Sequence, residues 1–167
     1  MASACPFGKK YPSALEKDDG YFMALAYNQA IEAWRRDEIP VGAVAVIGGE
    51  IIAAAHNLVA TLGDPTAHAE LQVITQAARV VGDWRLNAVT IYTTKEPCPM
   101  CSGAMIMGRV GTVVFGAGDG KMGCLGGCFH LQDLEGMNHR PAVRSGVLGG
   151  ECLALLRAFF EVARAAK

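Results

Sequence analysis

The residues with the clearest chemical potential are one histidine, one glutamate and two cysteines in two short segments. His68 and Glu70 lie in the first segment, and Cys98 and Cys101 follow after one predicted strand. One imidazole and two thiolates suit zinc, and three protein ligands leave the fourth tetrahedral position open to water. A lone C-x2-C pair is as often a structural zinc site, and a lone His-x-Glu indicates almost nothing. Their combination in this order predicts a catalytic site with His68, Cys98 and Cys101 as ligands.

Glu70 is predicted to act on a proton rather than to bind the metal. Two residues along a helix correspond to a rotation of about 200°, so His68 and Glu70 cannot share a side face. Both can reach a site that lies beyond the end of the helix. A carboxylate beside a zinc-bound water can take the proton of that water and deliver it to the substrate. The sequence therefore predicts Glu70 as the catalytic acid and base of a zinc-dependent hydrolase.

Hydrophobic periodicity predicts the first elements that position these residues. Apolar residues at three- and four-residue steps indicate a helix from Tyr21 that Pro40 stops. Residues 41–47 and 51–55 are typical of a hairpin around two adjacent glycines, residues 48 and 49. Asp64 is expected to cap a helix that has Pro65 in its first position and runs to about Val81.

The rest of the chain alternates between predicted strands and helices. The expected elements are a strand over 88–94, a short helix after Pro97, a strand over 112–115, a glycine-rich loop over 116–139, a strand over 143–147 and a helix from about Glu151. Each predicted ligand group then lies at the N-terminus of a helix, where partial positive charge favours thiolates. The alternation predicts an α/β fold with a mixed sheet between helices.

Composition excludes several classes of protein. With 167 residues, 51% of them hydrophobic and 19% charged, the chain is expected to form one globular domain over 20–167 after a flexible leader over 1–19. The longest apolar run, residues 41–55, is broken by glycines and is shorter than the roughly 18 residues that a membrane helix needs. A net charge of −1 gives no global basic field for nucleic acid. We expect a cytoplasmic protein with no membrane partner, because no signal-peptide pattern is present.

Several segments resemble the cytidine deaminase-like zinc deaminases, and among them the bacterial tRNA wobble adenosine deaminases. The resemblance covers nearly everything from Tyr21 to Arg164. The segments that carry it are Ile39-Pro40-Val41-Gly42-Ala43-Val44, Asp64-Pro65-Thr66-Ala67-His68-Ala69-Glu70, Pro97-Cys98-Pro99-Met100-Cys101, Asp119-x-Lys121-x-Gly123, Met137-Asn138-His139-Arg140 and Phe159-Phe160. It implies a three-layer α/β/α cytidine deaminase-like fold with a five-stranded mixed sheet between helices.

The same resemblance implies an activity, a cofactor and partners. The expected reaction is the hydrolytic deamination of adenosine to inosine in a tRNA anticodon loop, with one Zn²⁺ per subunit. The active form is expected to be a homodimer, to which the apolar residues 105–107 would contribute. Asn57 would hydrogen-bond the target nucleoside, and the backbone around Ala69 and Pro97 would contact the base edge. The residues expected along the anticodon loop are Asp119, Lys121, Asn138 and His139.

Three positions depart from the family pattern and bear on RNA binding. Lys95 stands where an apolar residue usually precedes Glu-Pro-Cys, and Gly118 replaces a common arginine. The end of the last predicted helix, residues 160–164, also has less positive charge than is usual in the family. Each departure removes or relocates a possible phosphate contact.

Two other functions remain open from the sequence. The first is a small-molecule deaminase that acts on guanine, cytosine or a nucleoside, since the segments around the predicted ligands suit that class equally well. The second is a non-catalytic zinc fold that serves as a binding partner, although a structural site has no use for Glu70. The loop at Asp119, the run at Asn138 and the aromatic C-terminal helix favour tRNA.

Cys124 and Cys128 lie close to His130 in the glycine-rich loop and invite the interpretation of a second metal site. They offer three potential ligands and no fourth, which falls short of a closed structural zinc site. We therefore expect both to be unpaired thiols.

Overall fold

In the computed structural model, which describes residues 4–166, five strands form one sheet. They are β1 (Gly42–Ile47), β2 (Glu50–His56), β3 (Thr90–Lys95), β4 (Thr112–Ala117) and β5 (Ala142–Ser145). Their order across the sheet is β2-β1-β3-β4-β5. Strand β1 is antiparallel to both β2 and β3, whereas β3, β4 and β5 run parallel. The sheet is therefore mixed, as expected.

Helices cover both faces of this sheet. They are α1 (Asp19–Trp34), α2 (Val59–Leu62), α3 (Ala69–Val81), α4 (Pro99–Met107) and α5 (Gly149–Ala165), with a 3-10 turn at Leu131–Asp133. Helices α1 and α5 meet where Trp34 packs edge-on against Phe159, at 5.2 Å between ring centroids. Helices α3 and α4 pack against each other on the opposite face. The predicted three-layer α/β/α architecture is confirmed.

Three glycines explain how the first strand fits. Gly48 and Gly49 have φ of 57° and 81°, which L-residues with side chains rarely adopt, and they form the predicted hairpin turn. At Gly42 a Cβ would stand 2.2 Å from the carbonyl oxygen of Ala26. The backbone of α1 therefore lies directly on β1, and only glycine permits this approach.

The helix predicted to begin after Asp64 begins at Ala69 instead, so that prediction was wrong. Asp64 Oδ1 accepts hydrogen bonds from the Thr66 backbone N–H at 2.8 Å and from its hydroxyl at 2.7 Å. This local turn competes with the helix for the same backbone groups. The consequence is that His68 becomes the N-cap residue of α3, with an extended backbone.

Part of the described leader, around residues 7–10, lies against the domain, whereas residues 13–18 are exposed. The Lys10 backbone N–H and carbonyl both bond the side-chain amide of Asn28 in α1 at 2.7 Å. The Phe7 ring packs 6.4 Å from the Trp34 ring. Residues 1–3 of the predicted leader lie outside the described residues, and the division of the chain after residue 19 stays a prediction. None of the helices within residues 4–166 is long and apolar enough to cross a membrane.

Candidate metal centre and active site

The structure brings the three predicted metal ligands together between two helix N-termini. His68 is the N-cap residue of α3, and Cys98 is the N-cap residue of α4. His68 Nδ1 lies 3.8 Å from Cys98 Sγ and 3.6 Å from Cys101 Sγ. All three donor atoms are within 4.8 Å of one another. Within the described chain, this group is the one whose His, Cys and carboxylate donors could hold a metal ion.

The spacing of the donors fits a tetrahedral ion. Bonds of about 2.1 Å to nitrogen and about 2.3 Å to sulfur, at the tetrahedral angle, separate the two donor atoms by about 3.6 Å. The two nitrogen–sulfur distances are 3.6 and 3.8 Å. One imidazole and two thiols leave one coordination position open. The donor set therefore suits zinc in an open, catalytic type of site.

Hydrogen bonding between the two cysteines sets their ionisation. The bond from Cys101 is the largest cause that lowers the pKa of the Cys98 thiol to about 3, with a further contribution from His68. The same bond, together with burial, raises the pKa of Cys101. The bond to Cys98 also raises the pKa of His68. A metal ion bound by both thiolates would displace the proton that the two cysteines share.

Glu70 lies in the first turn of α3, beside the metal ligands. Its side chain is 4% exposed, and Oε2 is buried with no hydrogen-bond partner among the described groups. Burial is the largest cause that raises the pKa of this carboxyl. An unpartnered buried carboxylate is costly, so its position next to a candidate metal site points to proton transfer.

A cavity of 230 Å³ opens beside the candidate metal centre. This is smaller than the roughly 300–1,000 Å³ of drug-sized sites, so it suits a flat ring system better than a whole nucleotide. Apolar side chains from α5 and from the segment after α1 form much of its wall. The lining residues are Ile39, Val41, Asn57, Val59, His68, Glu70, Lys95, Glu96, Cys98, Leu156 and Phe160.

Asn57 lines this cavity and is oriented by a buried glutamate that the sequence analysis missed. Glu38 is 2% exposed, and its Oε2 accepts a hydrogen bond from Asn57 Nδ2 at 3.0 Å. The backbone N–H groups of Ala60 and Thr61 donate to the same carboxylate at 3.3 and 2.6 Å. Burial alone would raise the pKa of Glu38, but these hydrogen bonds outweigh it and lower the pKa. No local pattern around Glu38 could have signalled this role.

Glu96 is a second buried glutamate that sequence reasoning missed. Its side chain is 2% exposed and accepts three backbone hydrogen bonds from the glycine-rich loop. Oε2 accepts from Asp119 N at 2.8 Å, and Oε1 accepts from Leu125 N at 3.0 Å and Gly127 N at 2.8 Å. A Cβ on Gly123 or Gly127 would stand 2.2 Å from Oε2. The loop therefore closes tightly around this carboxylate, two residues before Cys98.

Asp119 is ion-paired with Lys95, which lines the cavity. Its carboxylate pairs with the Lys95 ammonium and accepts hydrogen bonds from the backbone N–H groups of Lys121 and Met122 at 2.9 and 3.2 Å. Burial opposes ionisation, but Lys95 and the two backbone donors outweigh it and lower the pKa of Asp119. The Lys121 side chain is exposed on the same loop.

The other predicted contact residues lie near the centre or on the surface. Ala69 opens α3 and is fully buried. The Pro97 carbonyl accepts hydrogen bonds from Cys124 N at 3.0 Å and Ser102 Oγ at 3.1 Å. Asn138 is exposed, whereas His139 is partly buried with Nε2 2.7 Å from the Val110 carbonyl oxygen. Neither residue lines the cavity, so their contact with RNA stays a prediction.

Cys124 and Cys128 differ in their surroundings. All six cysteines are free thiols; Cys124 is buried and Cys128 is exposed. The group that could hold a metal among the described residues does not include them. The structure thus agrees with the expectation that both are unpaired thiols.

The sequence and the fold are similar to those of known deaminases. A model of the MafB19-like deaminase family matches residues 17–164. A tRNA-specific adenosine deaminase of Bacillus subtilis is 49% identical over 149 residues, which cover 89% of this chain and 92% of that protein. A solved structure from studies of A-to-I editing by tRNA:A34 deaminases has a TM-score of 0.79 at 38% identity, and covers 81% of this chain and 99% of that chain. A guanine deaminase structure from Bacillus subtilis has a TM-score of 0.55 at 42% identity over 58% of this chain and 62% of that chain.

Proposed function

Because the chain belongs to the tRNA-specific adenosine deaminases of the MafB19-like deaminase family, we propose that it converts adenosine to inosine at the wobble position of tRNA. The reaction consumes one water and releases ammonia. The observation that carries this proposal is the buried, unpartnered Oε2 of Glu70 beside the His68, Cys98 and Cys101 donors at the cavity. A hydrolytic deaminase needs this combination of a metal-ligand set and a separate proton carrier.

Proton transfer by Glu70 forms the centre of the mechanism. Zinc, held by His68, Cys98 and Cys101, would lower the pKa of a coordinated water toward about 7 and so supply the nucleophile at neutral pH. Glu70 Oε2, which is buried without a hydrogen-bond partner, can accept the proton of the attacking water. It delivers the proton to the ring nitrogen beside the amino-bearing carbon, which makes that carbon electrophilic. The water oxygen bonds to that carbon, and Glu70 takes the remaining proton of the new hydroxyl and gives it to the amino group. The C–N bond then breaks, ammonia leaves, and the carbon becomes the carbonyl carbon of inosine.

The cavity accounts for how the base is held. Leu156 and Phe160 offer apolar surface to the faces of the ring, and the Asn57 amide oxygen can accept a hydrogen bond from the nucleoside. We assign contacts with the base edge to the backbone around Ala69 and Pro97. The target base must leave its stack to enter, and an anticodon loop lowers this cost because its bases are already unpaired.

We assign the surface beside the cavity to the rest of the anticodon loop. Asp119 and Lys121 lie on the glycine-rich loop that Glu96 fixes, and Lys121 is exposed. Asn138 and His139 follow on the same long connection between β4 and β5. These four residues are proposed to contact nucleotides that flank the target. Such contacts supply binding energy that positions the base at the metal centre.

The decisive experiment compares RNA with free bases. An anticodon stem-loop with adenosine at the first anticodon position is expected to be converted to the inosine form, as measured by mass spectrometry of the digested product. The same loop with guanosine at that position serves as the matched control. Free adenine, adenosine, guanine and cytosine are expected to react negligibly. Efficient turnover of guanine without conversion of the loop would contradict the proposal and support the guanine deaminase function of the Bacillus subtilis neighbour.

We also propose that the active form is a homodimer. Of the apolar residues 105–107 expected to contribute, Met105 and Ile106 are buried in the core, so that part of the prediction was wrong. Met107 at the end of α4 is 66% exposed, and Trp84, which follows α3, is 59% exposed. Both line a hollow of 570 Å³ together with Ile74 and Ala78. An exposed apolar patch of this kind marks a protein contact. Light scattering is expected to give a dimer mass for the wild type and a smaller mass for Met107→Lys, whereas a monomeric wild type at micromolar concentration would contradict the proposal.

The cytoplasm is the proposed location. All six cysteines are free thiols. Free thiols persist in a reducing compartment, and a zinc site with two cysteine ligands requires them to stay reduced. Recovery of the protein and its zinc in the cytoplasmic fraction of fractionated cells is the expected result, and recovery outside that fraction would contradict it.

A further inference from the structure

One cation stands among the residues that line the active-site cavity. Of the described lining residues, Lys95 alone is a lysine or arginine, and two of its neighbours there are Glu70 and Glu96. Lys95 is the last residue of β3, and its side chain is 30% exposed. Glu70, in contrast, is 4% exposed. Lys95 is therefore the more accessible of these two charged residues, and Glu70 is the more deeply buried.

The surrounding structure fixes Lys95 in this place before any substrate binds. Its ammonium pairs with Asp119, whose side chain is 17% exposed. Asp119 is held in turn by the buried Glu96, which accepts its backbone N–H at 2.8 Å. Ordering a free lysine side chain costs conformational entropy, and the ion pair already orders Lys95 before a substrate binds.

The ammonium keeps hydrogen-bonding capacity beyond this pair. An ammonium has three N–H donors, and the hydrogen bond to Asp119 uses one of them. The remaining donors can bind a second acceptor without breaking the ion pair. Because Lys95 is more accessible than Glu70, its ammonium would meet the backbone of a substrate whose base lies beside Glu70.

Among the described residues that line the cavity, Lys95 is the one lysine or arginine that can bind an anion. Glu70, Glu96 and Asp119 all lie close to the cavity, so an approaching phosphate meets an acidic surface that Lys95 partly offsets. We propose that Lys95 binds a phosphodiester that flanks the target nucleotide while it remains paired with Asp119. This proposal rests on the proposed function, because it requires a polynucleotide substrate.

The salt dependence of RNA binding tests this role. The probe is a stem-loop that already carries inosine at the first anticodon position, which cannot be deaminated, and its binding is followed by fluorescence anisotropy over a range of salt concentrations. Lys95→Met is expected to weaken binding about tenfold at low salt. It is also expected to reduce the slope of log K against log salt by about 0.7, the value for one contact on single-stranded RNA. Lys95→Arg keeps the positive charge and is therefore expected to keep the wild-type slope of log K against log salt.

Lys17→Met is the matched control. Lys17 is also ion-paired with a carboxylate, Glu50 at 2.7 Å, and its side chain is 34% exposed. It lies at the hairpin turn, at the opposite end of β1 from Val41, which lines the cavity. The Lys17→Met variant is expected to bind the inosine stem-loop with the wild-type affinity and the wild-type slope of log K against log salt.

A purely structural role for Lys95 predicts a different result. If Lys95 only held the loop through Asp119, then Lys95→Met and Asp119→Asn would weaken binding alike, and both would keep the wild-type slope. That result would overturn the proposal. Asp119→Asn is expected to keep the slope while Lys95→Met reduces it. Conversion of the adenosine stem-loop tests the proposed function separately, since a failed conversion contradicts the function and an unchanged slope contradicts the role of Lys95.

Discussion

Glu38 and Asn57 are joined by a buried hydrogen bond of 3.0 Å at the edge of the cavity. Glu38 follows α1, and Asn57 follows β2. A carboxylate without a proton can only accept hydrogen bonds, so the amide NH₂ group of Asn57 must face Glu38. This relationship leaves the amide oxygen as the group that a substrate in the cavity would meet.

Replacement of Glu38 by glutamine tests this orientation. The new side chain can present its own NH₂ group to Asn57, so the Asn57 amide is free to turn. Glu38→Gln is expected to raise KM for the adenosine stem-loop about tenfold, with zinc content unchanged, as expected for the loss of a hydrogen bond to a charged group. Steady-state kinetics and metal analysis provide the measurements. The control is Glu32→Gln on α1, whose carboxylate is ion-paired with Lys9. Equal KM values for the two variants would show that Glu38 does not determine the orientation of the Asn57 side-chain amide.

The contribution of Glu38 to stability is expected to depend on pH. Hydrogen bonds from Thr61, Ala60 and Asn57 hold its pKa below the usual 4.5 despite burial. A group with a lowered pKa stabilises the fold above its unfolded pKa and loses this contribution as pH falls through the folded pKa. The gap in Tm between the wild type and Glu38→Gln is therefore expected to be largest near neutral pH and to shrink below about pH 4.5. A gap that stays constant down to pH 3 in thermal unfolding would contradict this assignment.

Variants at Glu70 and Cys98 separate proton transfer from metal binding. Glu70→Ala is expected to keep one zinc per chain and to lose at least the 10²–10⁴-fold that general acid–base catalysis contributes. Cys98→Ala is expected to lose both zinc and activity. Elemental analysis and turnover of the stem-loop are the two measurements. The ligand assignment is wrong if Glu70→Ala loses its zinc and Cys98→Ala keeps it.

The two cysteines of the glycine-rich loop are expected to be dispensable for metal. Cys128 is exposed, so it is replaced by serine, whereas Cys124 is 2% exposed, so it is replaced by alanine. The double variant is expected to bind as much zinc as the wild type, because the described metal-binding group excludes both residues. A measured loss of zinc would indicate a second ligand set in this loop.

Substitutions at Gly123 and Gly120, two glycines of the same loop, test how tightly the loop packs around Glu96. A Cβ at Gly123 would stand 2.2 Å from Glu96 Oε2, whereas a Cβ at Gly120 meets nothing within 4 Å. Gly123→Ala is expected to destabilise the protein by about 1–3 kcal/mol through overpacking. Gly120→Ala is expected to stay within about 0.5 kcal/mol of the wild type. Urea unfolding measures both, and equal midpoints would show that Glu96 is not packed as described.

The turn at Asp64 shows where sequence patterns mislead. An aspartate followed by proline is a common start of a helix, and the periodicity beyond it is helical. The same aspartate can instead bond Thr66 two residues on, and this turn delays the helix until Ala69. Both outcomes use the same local residues, so only the rest of the fold decides between them.

The sequence by itself predicted the group of metal ligands that the structure brings together. Zinc ligands and a proton carrier must be particular residue types at short, fixed spacings, so His68, Cys98 and Cys101 could be predicted as ligands, and Glu70 as proton carrier, from the chain alone. Hydrophobic periodicity also determined the order of strands and helices, because burial of one face acts on each element locally. The tertiary structure decided the roles of Glu38, Glu96 and Lys95. Their partners lie 19 to 31 residues away along the chain, and no local pattern encodes a contact that only the packing of the sheet and its loops creates.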